Sequence, residues 1–184
     1  MINKLITNET PLVICDIGAS PVDPTPFIDE LLKNVECFLY GFEPNEEEFK
    51  KLNSTDKKEY FNYAVGNGQI ETLNICSAPG MTSILEPDFE YLKLFHGFSD
   101  WAKVTKKVKV QTKKLDDVNF DKKIDFLKID VQGYEHEVIK NGNNIIKTPI
   151  FTENCTLETL NKLQSNKKKV NTPITTQFNK VDDT

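Results

Sequence analysis

The sequence has no apolar run that approaches the ~20 residues needed to span a bilayer, which argues against a transmembrane protein. The first residues, Met1 to Leu5, also lack the long apolar core of a signal peptide. A formal net charge of -5 disfavours binding to nucleic acid by bulk electrostatics. We therefore expect a protein without a membrane or nucleic-acid partner, and the oligomeric state stays open.

Cysteine pairs with the spacing of a metal site are also missing. The four cysteines form no C-x-x-C pair, and no histidine lies at ligand spacing, so we predict no metal site. Cys15 and Cys37 fall inside apolar, strand-like runs, where a reduced thiol packs as a small hydrophobe. Disulfides in a secreted protein are the alternative, but a reducing, cytoplasmic location is the simpler prediction.

What the sequence does contain is a strand and helix alternation within 184 residues, a length that fits a single domain. Apolar runs predict strands, and amphipathic segments predict helices between them. We predict a doubly wound α/β sheet with an inserted antiparallel piece. The predicted strands are 11–17, 37–42, 60–65, 72–76, 108–112 and 126–131, and the predicted helices are 27–33, 46–52 and 134–141.

Two regions are less regular. Prolines and a glycine between Ser77 and Pro87 predict a connecting loop, and the aromatic segment from Asp88 to Val104 predicts either a small helical element packed on the sheet or a lid over a site. After Gly142, positions 145–153 could add a strand and positions 157–163 a helix. We predict that the domain ends at position 163 and that 164–184 forms a polar, flexible tail.

Acidic or small polar groups follow three of the predicted strands. Asp16 with Gly18 lies at the end of the first strand, Glu43 with Asn45 at the end of the second, and Asp130 with Gly133 at the end of the last. In open α/β sheets such strand ends border the ligand crevice, and a carboxylate after the second strand accepts hydrogen bonds from ribose hydroxyls. Glu43 lies 27 positions after Asp16, about the separation expected for that arrangement.

The sequence has no G-x-G-x-x-G cradle for a pyrophosphate, so a nucleoside cofactor without a diphosphate fits better than NAD. S-adenosylmethionine is the obvious candidate. An NAD-linked oxidoreductase is a weaker alternative. For Asp130 itself, the competing interpretation is a simple cap on the turn into the next helix.

Four motifs in matching order resemble the FkbM-type S-adenosylmethionine-dependent methyltransferases. They are Asp16-Ile17-Gly18-Ala19-Ser20, Gly41-Phe42-Glu43-Pro44-Asn45, Ala64-Val65-Gly66, and the segment from Phe126 to Glu135. The resemblance runs from about Pro11 to Gly142 and implies a Rossmann-like class I methyltransferase sheet. It implies methylation of a hydroxyl on a sugar or small natural product.

The same resemblance implies roles for individual residues. The segment with Asp16, Gly18, Ala19 and Ser20 would wrap the methionine part of the cofactor, Glu43 with Asn45 would hold the ribose, and Ala64-Val65 would line the adenine side. The family usually has Asn and Gly after Asp-x-Gly-Ala, whereas Pro21 and Val22 follow Ser20 here. The usual closing strands are hard to identify after Phe151, so the sheet is expected to be incomplete at its C-terminal end. A non-catalytic, ligand-binding remnant of the fold is the alternative function.

A hydroxyl acceptor needs a group that takes its proton, and three residues after the last strand are candidates. We rank Asp130 first, followed by Glu135 and His136. Glu135 has a competing explanation, because acidic residues stabilise the first turn of a helix. His136 fits a surface position better than a catalytic one, and His96 fits a packing or loop position better than a catalytic one.

Overall fold

Four parallel strands form the centre of the molecule, in the spatial order 58–61, 37–42, 12–17 and 126–129. The structure is a computed structural model and describes residues 11–21 and 26–146. The strands are β1 (Leu12–Ile17), β2 (Cys37–Phe42), β3 (Lys58–Phe61), β4 (Ala64–Val65), β5 (Ile70–Cys76), β6 (Val104–Lys113) and β7 (Phe126–Ile129). The helices are α1 (Pro26–Asn34), α2 (Glu46–Phe49), α3 (Phe89–Leu92), α4 (Phe98–Trp101) and α5 (Glu135–Lys140).

The two faces of the parallel sheet carry separate apolar clusters, because successive side chains of a strand point to opposite faces. Ile14, Leu39 and Phe126 pack on one face against Ile28 and Leu31 of α1. The other face is covered by a larger cluster that includes Val138 of α5. Helices on both faces confirm the predicted α/β Rossmann-like fold, and they explain why β1, β2 and β7 are apolar almost throughout.

A second sheet of three strands has the order β4-β6-β5, and Val65 of β4 belongs to the larger cluster. β5 and β6 pair antiparallel from Ile70↔Gln111 to Cys76↔Val104, which confirms the predicted antiparallel piece. The segment from 77 to 87 is a connection, as predicted. It contains a short 3-10 turn at Pro79–Met81 and is tied to β5 by an isolated bridge between Asn74 and Ser83.

The predicted strand at 60–65 is two strands, and the prediction was wrong at this point. β3 ends at Phe61, and β4 begins at Ala64 in the other sheet. The Asn62 side-chain amide donates to the backbone carbonyl of Glu43 over 2.9 Å, at the level where the chain leaves the parallel sheet. Apolar periodicity is the same on both sides of the break, so the pattern alone hides it.

The aromatic segment from 88 to 104 forms α3, α4 and the start of β6. It is less covered than a packed helical element would be. Side chains more than two-fifths exposed include Phe89, Tyr91, Leu94, Phe95 and Trp101. The backbone carbonyls of Asp100 and Trp101 accept from the Ser77 hydroxyl, which joins this segment to the connection that precedes it.

Several predictions concern positions outside the described residues. The strand at 145–153, the helix at 157–163, the domain end at 163 and the tail at 164–184 lie there wholly or mostly. Within the described ranges, Cys15, Cys37 and Cys76 are free and buried. No helix within those ranges combines the length and apolar character needed to cross a bilayer.

Candidate functional site

A cleft opens where the strand order of the parallel sheet changes direction. The chain passes from β1 outward to β2 and β3, and then returns to the other side of β1 as β7. At such a switch point the connections after the two central strands lead away in opposite directions, and the crevice at the strands' carboxyl ends is where ligands bind. Gly18 after β1 and Asp130 after β7 both line this crevice.

Gly18 is required by the close approach of these two loops. Its φ of +89° lies in the left-handed region, and a Cβ at this position would lie 1.9 Å from the backbone oxygen of Asp130. The Gly18 and Ala19 N–H groups both donate to the Phe42 carbonyl at the end of β2, each over 3.0 Å. The turn after β1 is therefore held against both neighbouring strands.

The end of β2 supplies the second wall through Glu43 and Asn45. One Glu43 carboxylate oxygen accepts the Asn45 backbone N–H over 2.7 Å, and the Asn45 side chain caps α2 by accepting from the Glu47 N–H. Burial raises the pKa of Glu43 to about 7, and the nearby carboxylates of Glu48 and Asp16 add to the rise. Glu43 is thus a buried acid, and any further hydrogen-bond donor placed in the cleft would stabilise its carboxylate form.

A buried ion-pair network lies beneath the cleft. The Lys128 ammonium is 3.0 Å from a carboxylate oxygen of Asp16 and 3.6 Å from one of Asp130. Asp16 and Lys128 are paired in register across β1 and β7. Burial raises the pKa of Asp16 while the Lys128 charge opposes that rise. The strands β2, β1 and β7, which lead to Glu43, Asp16 and Asp130, are neighbours in the sheet, and the Lys128 ammonium links Asp16 to Asp130.

The turn after β7 has an unusual backbone that neighbouring side chains hold in place. Gln132 has a φ of +54°, and its side-chain amide donates to Asp130 over 2.7 Å. The Ser83 hydroxyl lies 3.1 Å from the Val131 carbonyl and 2.9 Å from the Gln132 carbonyl. A backbone conformation that most residues avoid is thereby fixed beside the cleft, where such strain is commonly found.

Most of the predicted site residues line the cleft. Those that do are Gly18, Ser20, Glu43, Asn45, Ala64, Val65 and Asp130. Ala64 and Val65 are buried and are held by parallel pairing of β4 with β6. Asp16 and Ala19 instead border a second hollow next to α1, and Ser20 borders both. Asp16 is connected to the cleft through Lys128, which pairs with both Asp16 and the lining residue Asp130.

The two other proton-acceptor candidates lie elsewhere. One Glu135 carboxylate oxygen accepts the backbone N–H groups of Val131 and Gly133, over 3.0 and 3.1 Å, so its interactions stabilise the turn. His136 is exposed and is not among the lining residues. Asp130 is the one of the three that faces the cleft.

Several lining or supporting residues were not singled out from the sequence. They are Lys128, Glu48, Tyr63, Ser83 and Gln132. For Lys128 a signal existed, because a lysine inside an apolar run of a doubly covered strand needs a buried partner. Ser83 carried no such signal, since a serine between prolines reads as an ordinary loop residue.

The lining also has one sign of charge. Among the described residues that form it, the acidic side chains are Glu43, Glu48 and Asp130, and no lysine, arginine or histidine is present. No cluster of three or more potential metal ligands occurs in 11–21 or 26–146. The cleft therefore suits a neutral or cationic ligand better than a diphosphate.

In open α/β sheets, a crevice at the switch point with an acidic residue after the second strand is a usual place for a nucleotide or nucleoside ligand. The family model described as the methyltransferase FkbM domain matches residues 16–179. The chain belongs to this family and is a methyltransferase by that membership. Comparison with curated proteins and with solved structures gives no match.

Proposed function

We propose that the protein transfers a methyl group from S-adenosylmethionine to a hydroxyl of a sugar or small natural product. The observation that carries this proposal is the acidic cleft at the β1/β7 switch point, because a cofactor with a positive sulfonium and no phosphate complements it. The same feature disfavours NAD, whose diphosphate would face three carboxylates.

The cleft residues fit the cofactor in chemical type. Glu43 and Asn45, joined by the 2.7 Å hydrogen bond, would receive the ribose hydroxyls, and the small residues Ala64 and Val65 would lie along the adenine. Gly18 and Ser20 would lie along the methionine part. When bound, S-adenosylmethionine supplies the activated methyl group, so the protein's main task is to position the two reactants.

Asp130 is the residue we assign to accept the proton of the acceptor hydroxyl. Its side chain lines the cleft, and the Gln132 amide and the Lys128 ammonium orient its two oxygens. A carboxylate held this way can receive a proton from a hydroxyl within hydrogen-bond reach. Glu135 lacks this freedom, because its carboxylate is bound to backbone N–H groups.

Calorimetric titration with S-adenosylhomocysteine, followed by a methyl-transfer assay over a panel of sugar and small-molecule hydroxyls, tests the proposal. We expect binding, and turnover on at least one acceptor class. Asp130→Asn should then reduce turnover more than cofactor affinity. Binding without turnover on any acceptor would favour a non-catalytic remnant, and stabilisation by NAD without stabilisation by S-adenosylhomocysteine would favour an oxidoreductase.

A further inference from the structure

Glu48 lines the cleft, and one of its carboxylate oxygens is buried without a protein partner among the described residues. The side chain is 7% exposed, and its Oε1 accepts from the Lys51 ammonium over 2.6 Å. Its Oε2 is buried and has no hydrogen-bond partner among the described residues. A carboxylate oxygen left in this state is costly, by about 1–3 kcal/mol or more for a charged group, so its retention calls for an explanation.

The location of Glu48 indicates what could satisfy this oxygen. Glu48 belongs to the first turn of α2, directly after Glu43-Pro44-Asn45, and lines the same cleft as Glu43. Its charge contributes to the raised pKa of Glu43, so the two carboxylates lie close together. The end of the second strand is where nucleoside cofactors place their ribose in sheets of this kind.

We propose that Glu48 is a ligand-binding residue whose Oε2 accepts a hydrogen bond from the nucleoside half of the cofactor. The donor is a ribose hydroxyl or the exocyclic amine of adenine, which share the chemistry of a neutral N–H or O–H donor. Glu43 and Glu48 would then form a two-carboxylate receptor on the wall that α2 provides. This inference rests on the proposed function, because it assumes an adenosyl ligand in the cleft.

Glu48→Gln is the informative variant. The amide oxygen can keep the Lys51 contact, so the NH₂ group takes the place of Oε2 and cannot accept a hydrogen bond. We expect S-adenosylhomocysteine to bind at least about tenfold more weakly by calorimetry. Glu47→Gln is the matched control, since Glu47 is the adjacent, exposed glutamate of the same helix. We expect this variant to bind S-adenosylhomocysteine with unchanged affinity.

Unfolding in the absence of ligand distinguishes binding from a structural role. A charged oxygen without a partner does not stabilise the free protein, so Glu48→Gln should unfold at the same or higher urea concentration than the parent. If the Glu48 carboxylate stabilised the fold instead, Glu48→Gln would unfold at a lower urea concentration than the parent. Lys51→Met should leave affinity within about twofold, because it removes only the Oε1 contact.

Two analogues of the adenosyl ligand identify the donor. One lacks a ribose hydroxyl, and the other lacks the exocyclic amine of adenine. If the parent and Glu48→Gln bind one analogue equally well, the group missing from that analogue is the hydrogen-bond donor to Glu48. If the parent binds S-adenosylhomocysteine and Glu48→Gln binds it equally well, this inference is overturned while the proposed function stands. A deficit that persists with every analogue also overturns it. If the parent does not bind at all, the proposed function fails and takes this inference with it.

Discussion

At the scale of single residues, Glu43 shows a conflict between stability and ligand binding. Its pKa in the folded protein, about 7, lies above its ordinary value of 4.5, chiefly because of burial. The folded protein therefore binds more protons than the unfolded chain between these pH values, so this group's contribution makes the protein less stable as the pH rises through that window.

Glu43→Gln should remove this penalty. The difference in unfolding free energy between variant and parent should grow from pH 4.5 to pH 7 and level off at up to about 3 kcal/mol in favour of the variant. Urea unfolding at several pH values measures it. The same variant should bind S-adenosylhomocysteine more weakly, and a variant that is neither stabilised above pH 7 nor weakened in binding would remove Glu43 from this role.

Gly18 is the second residue whose role is defined by its immediate surroundings. Gly18→Ala places a methyl group against the Asp130 backbone oxygen, so one of the two loops must move. We expect a loss of more than about 2 kcal/mol in unfolding free energy, together with weaker cofactor binding.

Gly68→Ala is the control for that substitution. Its φ of +83° is almost the same, but the nearest atoms are carbons of the flexible Lys114 side chain, at 3.3 Å. It should cost only about 1 kcal/mol, the ordinary penalty of a left-handed backbone. Equal losses in the two variants would mean that the Gly18–Asp130 approach has no special importance.

At the scale of elements, β1 and β7 are joined by both backbone pairing and a buried charge pair. Lys128→Met should leave the buried Asp16 and the partly buried Asp130 without a counter-charge and destabilise the fold by roughly 3–5 kcal/mol. Denaturant unfolding measures the loss.

The double variant Lys128→Met with Asp16→Asn tests whether that loss comes from charge. Removing both charges should recover part of the stability, because a neutral pair avoids the desolvation of an unpaired carboxylate. If the double variant is as unstable as Lys128→Met alone, the contribution of Lys128 is packing of its aliphatic chain. Both variants should have altered turnover if Lys128 orients Asp130.

Elements were predictable to different degrees. β1, β2 and β7 are buried on both faces, so their apolar runs could be recognised directly. β3 and β4 could not be separated, because the break at Asn62 depends on a hydrogen bond to Glu43, a residue 19 positions away. The aromatic segment gave helices, but its apolar residues did not reveal that their side chains stay exposed.

At the scale of the whole molecule, the cleft is a product of two sheets. The parallel sheet supplies the strand ends with Gly18, Glu43 and Asp130, while Ala64, Val65 and the 79–84 segment come with the second sheet. Ser83 links the two parts by its contacts with β5 and with the turn after β7. A site built this way closes only when both sheets are in place.

The sequence by itself determined the α/β alternation, the acidic strand ends and the family, because these depend on local pattern and on motifs in order along the chain. Only the tertiary structure decided which of the acidic groups face the cleft, that Lys128 joins Asp16 to Asp130, and that Glu135 serves the turn. Those outcomes depend on which side of a strand or loop a group lies and on contacts between distant segments. The apolar periodicity of the sequence reports neither the side on which a loop residue lies nor the contacts between distant segments.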